Sequence, residues 1–359
     1  MSVKEFRMNL HTIPEIGKCE LKTKEYILNQ LRSLSCKIYE PTPTGLVAYF
    51  NAHRDKTICF RADMDGLKIT EKTDLPFSSI HPGYMHACGH DGHMAMLLEF
   101  ALWADQHMPE LKYNVVCLFQ PSEEEHAGAL DILNSGILDQ LQVEEIYGIH
   151  IWPQLKKNQL FTMTGGLLAS SSELNIEFLG KGVHAANRSK GIDALKIASS
   201  FLLECYQEFD KIKGKHLLSF GTMHSGSARN IVSDYAKLEA TIRNFEDNVF
   251  LEMKEILYKL KQKYEKETNI RIQITIDDLY KSVMNDFSLI SKYKDLLQVE
   301  LLVSPFMQAE DFGCYTRKYK SMFMLLGSGD KHLLHTDTFD FDMDILATGV
   351  EAYKTIATN

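Results

Sequence analysis

Four short apolar runs do most to limit what this chain can become. Residues 46–50 (LVAYF), 57–61 (TICFR), 115–119 (VVCLF) and 146–150 (IYGIH) are each about one strand long. Segments with helical spacing of apolar residues surround them, at 6–34 (interrupted near His11 to Gly17), 94–106 and 127–135. Strand-length apolar runs alternating with helices predict an α/β fold, a mixed sheet with helices on both faces.

Around Ser172 the pattern changes. Residues 173–178 alternate as a half-exposed strand, 191–209 read as an amphipathic helix, and 217–222 and 235–243 read as strands. A strongly charged helix at 247–265 and a further alternating strand at 270–276 complete a βαββαβ order. That order predicts a small α+β, ferredoxin-like sandwich of two helices on an antiparallel sheet. From about Val283 the chain returns to helix and then to an apolar segment at 322–326. The economical organisation is a larger α/β domain formed by residues 1–171 and 283–359, with residues 172–282 inserted as a second domain. The exposed strand edge of the insert would suit dimerisation.

At 359 residues the chain is long enough for two domains. Its net charge of -9 argues against a nucleic-acid partner, which calls for a basic face. No apolar run approaches bilayer length, so no membrane partner is expected. Seven scattered cysteines form no CxxC pair, which indicates neither a disulfide framework nor a zinc knuckle. The simplest setting is a reduced cytoplasm, with six of these cysteines acting as small apolar packing residues. Cys88 is the exception.

Cys88 lies in Met85-His86-Ala87-Cys88-Gly89-His90-Asp91-Gly92-His93, where one thiol, three imidazoles and a carboxylate fall within nine residues. Thiolate and imidazole suit zinc and its borderline neighbours, although a polar loop whose histidines bond to backbone has the same composition. Ser122-Glu123-Glu124-Glu125-His126 follows an apolar strand, where open α/β sheets place their ligands; a solvated acidic turn would read alike. His150 ends another apolar run and His335 sits in Leu333-Leu334-His335-Thr336-Asp337, so convergence on one metal site becomes the better reading. Asp63 is the natural carboxylate to fix the tautomer of a metal-binding imidazole. Asp65-Gly66 reads as a plain turn.

The set RADMDGL, MHACGHDGH, FQPSEE, GIHIWP, GKGVHAA, ATIR, EDFG and LLHTDTF resembles the amidohydrolase branch of the metallo-aminoacylase and carboxypeptidase G superfamily. The resemblance runs from about Arg7 to Ala352 in matching order. It implies a catalytic larger domain, a lid and dimerisation insert, and hydrolysis of the N-acyl amide of an N-acyl amino acid. It also implies two divalent metal ions per subunit, zinc first, with manganese, cobalt or nickel as alternatives. Cys88, His90, Glu124, His150 and His335 match the ligands, Glu123 the catalytic base and Asp63 the active-site aspartate. His184 matches a histidine that reaches the neighbouring subunit of a homodimer, and Asn230 and Arg243 match substrate-binding lid positions.

Within the branch, Gly66, the stretch 166–174 and Glu310-Asp311-Phe312-Gly313 look most like the N-acetyldiaminopimelate deacetylases of lysine biosynthesis. A broader aminoacylase or hippurate hydrolase, a dipeptidase, and a metal-binding protein that has kept the fold without catalysis are the other readings. Against the family's pattern, Lys68 stands where a proline is usual, Glu125-His126 where a glycine run begins, and Asn187-Arg188 and Ser233 where prolines occur. None removes a matched ligand, and they bear on the mouth of the pocket.

Overall fold

The computed structural model describes the chain from Met1 to Asn359, the side chain of Leu279 excepted. It forms two compact units. One comprises residues 1–167, 283–305 and 310–359, and the other residues 168–282 and 306–309. The strand Phe306–Ala309, read from the sequence as part of the larger domain, belongs with the second unit because it pairs with Gly165–Ala169.

The first unit is built on an eight-stranded mixed sheet. Its order is Lys37–Tyr39, Leu46–Phe50, Asn114–Gln120, Thr57–Asp63, Val143–Trp152, Lys320–Gly327, Leu160–Thr162 and Glu300–Leu301. The four central strands, from Asn114–Gln120 to Lys320–Gly327, are mutually parallel. Every residue of Thr57–Asp63 and Asn114–Gln120 is buried, as expected for strands covered on both faces. Helix His90–Gln106 is buried through most of its length and shares an aromatic cluster with the sheet and the C-terminal helix Leu346–Thr358. In that cluster the Phe60 ring lies 4.7 Å from Phe100 and 4.9 Å from Tyr353.

Parallel pairing has a direct consequence for chemistry. Asp63 is in register with Gln120, so the residues that follow both strands emerge on one rim of the sheet. Helix His90–Gln106 begins at that rim, after Gly89 in the left-handed region at φ 85°. This is the edge where open α/β sheets gather ligands.

The second unit carries an antiparallel sheet in the order His216–Ser225, Tyr235–Asn244, Ser171–Leu179, Arg271–Tyr280. Along Ser171–Leu179 burial alternates strictly, with Ser172, Leu174, Ile176 and Phe178 inside. Leu174, Ile176 and Phe178 pack with Phe201 of helix Ala194–Phe209 and Leu257 of helix Asp247–Thr268. Each such side chain contributes about 1.5–3 kcal/mol through burial. His216–Ser225 lies at one edge and is largely exposed. No described helix is long and apolar enough to cross a membrane.

Candidate metal centre

The rim of the central sheet brings together residues far apart in sequence. Cys88 Sγ lies 3.5 Å from His150 Nε2 and 3.2 Å from His335 Nε2. His335 Nε2 is 3.1 Å from Glu124 Oε1, and His90 Nε2 is 3.8 Å from the same oxygen. One donor atom each from Cys88, His90 and Glu124 falls within 4.8 Å of the others. His335 is held by its own backbone, at φ 63°, with its N–H donating to Ala87 O at 2.8 Å. His150 Nδ1 lies 2.7 Å from the carbonyl of Ile151 and so carries the proton, which frees Nε2 as the lone-pair nitrogen.

The donor set suits a cation. Both ring nitrogens of His90 are buried without a hydrogen-bond partner among the described residues, although Nδ1 lies 3.3 Å from Asp65 Oδ1. Burial disfavours a charged His90 ring, but Asp63, Asp65 and Glu124 outweigh it and raise its pKa to about 10. Burial, together with Glu124, Glu123 and Asp63, pushes the Cys88 thiol well above its ordinary range. Burial holds His150 neutral by pulling its pKa well below the usual value. Buried donors crowded with carboxylates are what a divalent cation relieves, and thiolate with imidazole suits zinc.

Glu123 and Glu124 open the short helix Glu123–His126, which is bracketed by left-handed residues, Ser122 at φ 59° and Ala127 at φ 47°. Two carboxylates hold this turn. Asp65 accepts the backbone N–H of Glu123 at 3.0 Å and of Glu124 at 2.9 Å. Glu20, fully buried and with its pKa raised to about 7 by burial, accepts the N–H of Ser122 at 2.8 Å. Gly128 closes the turn so tightly that a Cβ there would sit 1.9 Å from Pro121 O. The plain-turn reading of Asp65 is therefore corrected: its side chain is a backbone clamp that no local pattern announces.

Burial and the neighbouring carboxylates Glu310, Glu124, Asp311 and Asp65 raise the pKa of Glu123 well above the ordinary range. Asp311 N lies 3.4 Å from Glu123 Oε1. Beneath this site Arg61 is buried and fully engaged. It donates to Gln120 Oε1 at 2.8 Å, Asp63 Oδ2 at 2.7 Å, Glu310 Oε1 at 3.0 Å and Asp311 Oδ1 at 2.8 Å. One guanidinium thus ties the ends of two central strands to the EDFG segment. Its residues could be noted in the sequence, but their convergence could not.

Asp63 meets two imidazoles: His93 Nδ1 lies 2.6 Å from Asp63 Oδ1, and Nδ1 of the matched ligand His90 lies 3.8 Å from the same oxygen. His93 Nε2 accepts the N–H of Ile151 at 2.9 Å, so both ring nitrogens are used. His93 therefore braces the residue after His150.

The remaining matched residues lie in the second unit. His184 is exposed in the two-residue strand Val183–His184, paired with Ile231–Val232, and its Nδ1 accepts the N–H of Ala186 at 3.2 Å. Asn230 adjoins that pairing, its carbonyl accepting Ala185 N–H at 2.8 Å. Arg243 is half-buried and donates to Met307 O at 3.0 Å.

Comparison with known proteins agrees with this geometry. Residues 59–359 match the family model described as peptidase family M20/M25/M40. An N-acetyldiaminopimelate deacetylase of Leuconostoc citreum is 32% identical, over 98% of this chain and 95% of its own. One from Bacillus velezensis is 33% identical, over 96% of this chain and 94% of its own. Among solved structures, a Bacillus subtilis protein described as a dinuclear metal-binding peptidase of family M20 superposes with a TM-score of 0.88. It is 27% identical and covers 99% of this chain and 96% of its own. With its α/β fold and buried ligand cluster, this chain is a hydrolase acting on amides and belongs to the peptidase family M20/M25/M40.

Proposed function

We propose that this protein is a metal-dependent deacetylase that converts N-acetyldiaminopimelate to diaminopimelate and acetate in lysine biosynthesis. The relatives' names support the substrate. The observation that carries the chemistry is Glu123, a buried carboxyl group beside the ligand Glu124 on one clamped helical turn.

Cys88, His90, Glu124, His150 and His335 would hold two divalent ions, zinc being favoured by the thiolate and imidazoles. When bound, such ions polarise an amide carbonyl and acidify water. Glu123 removes the proton of the attacking water as the C–O bond forms. It then returns the proton to nitrogen as the C–N bond breaks, because an amine leaves poorly unless protonated. Arg61 and His93 keep Asp63 and the strand ends in place.

His184 is assigned a hydrogen bond to the developing oxyanion of a neighbouring subunit, and Asn230 and Arg243 a hold on substrate. Motif matches support all three. A cytoplasmic homodimer paired through the exposed His216–Ser225 edge belongs to the same reading.

The test is a substrate profile of metal-loaded protein with N-acetyldiaminopimelate, hippurate, N-acetyl amino acids and dipeptides. The highest kcat/KM is expected for N-acetyldiaminopimelate; preference for an aromatic acyl group or a dipeptide would replace this reading.

A further inference from the structure

Two chain segments leave the metal centre side by side, and both end in a charge at the surface. The first is the helical turn itself. Glu123 is buried, the Glu124 side chain is 11% exposed, Glu125 39% and His126 53%. The second runs from buried Asp65 through half-buried Leu67 to Lys68, whose side chain is 60% exposed. At their deep ends the segments are tied by Asp65 to the N–H groups of Glu123 and Glu124. At their outer ends Lys68 Nζ lies 3.4 Å from Glu125 Oε1.

We infer that Lys68 and Glu125 recognise a zwitterionic far end of the substrate, an α-amino-acid group separated from the scissile amide by a short carbon chain. This rests on the deacetylase reading above and names what the outer part of that site takes. An exposed ion pair of this kind adds about 0–1 kcal/mol to stability, so folding gains little from it. A zwitterion can divide the pair at small electrostatic cost. Its carboxylate takes the Lys68 ammonium and its ammonium takes the Glu125 carboxylate, leaving no charge unmatched. Glu125 is also fixed in distance from the reaction, because it directly follows the ligand Glu124 on a turn whose backbone is clamped. An N-acyl amino acid with an uncharged side chain gains nothing from the pair.

The experiment compares kcat/KM for N-acetyldiaminopimelate and N-acetylnorleucine, which lacks the far charges, in metal-loaded wild type, Lys68→Met, Glu125→Gln and the swapped double variant Lys68→Glu/Glu125→Lys. Wild type is expected to prefer N-acetyldiaminopimelate. Each single substitution should lower the ratio of the two kcat/KM values at least about tenfold, mainly through KM, as loss of a charge-assisted contact does. The double variant should recover part of the ratio. A ratio unchanged in the single variants, or a loss shared equally by both substrates, overturns the inference while leaving the deacetylase reading intact. Wild type that hydrolyses N-acetylnorleucine but not N-acetyldiaminopimelate overturns that reading and this inference with it.

Discussion

Asp65 Oδ2 accepts the backbone N–H of Glu124 at 2.9 Å, while Oδ1 takes that of Glu123 at 3.0 Å. One side chain therefore orients both the proposed base and a proposed metal ligand. Removing it in Asp65→Ala leaves two N–H groups without their acceptor, at about 1–3 kcal/mol each. The expected result is a fall in kcat of at least about tenfold, because a displaced base loses alignment before it loses affinity. Steady-state kinetics together with metal analysis check this, and unchanged kcat would remove Asp65 from the site's framework.

Glu123→Gln retains shape and hydrogen bonding but cannot accept a proton. Turnover should drop by at least about a hundredfold. Metal content should stay near that of wild type, since Glu124 is the assigned ligand. Near-normal turnover would defeat the base assignment.

For Cys88 the readout is chemical. Its thiol is held protonated by burial and by Glu124, Glu123 and Asp63, so it ionises readily only with a cation beside it. Alkylation followed by peptide mapping should show Cys88 protected in metal-loaded protein and labelled after chelation. Equal labelling in both states would count against ligation.

A fourth prediction concerns pH. His11 Nδ1 lies 2.7 Å from Asp91 Oδ2 and its Nε2 lies 3.2 Å from Glu71 Oε1. Burial opposes the charged ring, but Asp91 and Glu71 prevail and raise the pKa to about 9. Because the folded value exceeds the unfolded value of about 6.5, the stabilisation is complete below pH ~6.5 and is lost as pH rises through about 9. It amounts to about 3 kcal/mol. Urea unfolding at pH 6.5, 8 and 9.5 should show this loss in wild type, and His11→Asn should lack it. Parallel pH profiles for the two proteins would refute it.

Much of the fold was legible because each apolar run is about one strand long and is set apart from the helical segments around it. Leu46–Phe50 matches its expected bounds, and the other three runs extend to Thr57–Asp63, Asn114–Gln120 and Val143–Trp152. Helix starts were harder. The helix expected from residue 94 begins at His90, since Gly89 turns the chain and the polar motif itself forms the first turn. The helix expected from residue 191 begins at Ala194, where Asp193 caps it, because Ile192 instead pairs with Lys181 in an isolated bridge. Within the site, the ligand motifs could be read because their residue types are unusual in combination. Asp65, Glu20 and the Arg61 hub act through contacts spanning 58, 102 and up to 250 residues of sequence, which leave no local periodicity.

The division of the larger unit into separate stretches of chain also has a temporal meaning. A chain leaving the ribosome presents Cys88, His90, Glu124 and His150 first, then the whole segment 168–282, and only afterwards His335. The last donor to be synthesised is also the one pinned by its backbone to Ala87, beside the first. On the proposed ligand set, the full donor shell would be complete only late in biogenesis. A nascent or truncated chain that stops short of His335 would carry only part of that proposed set.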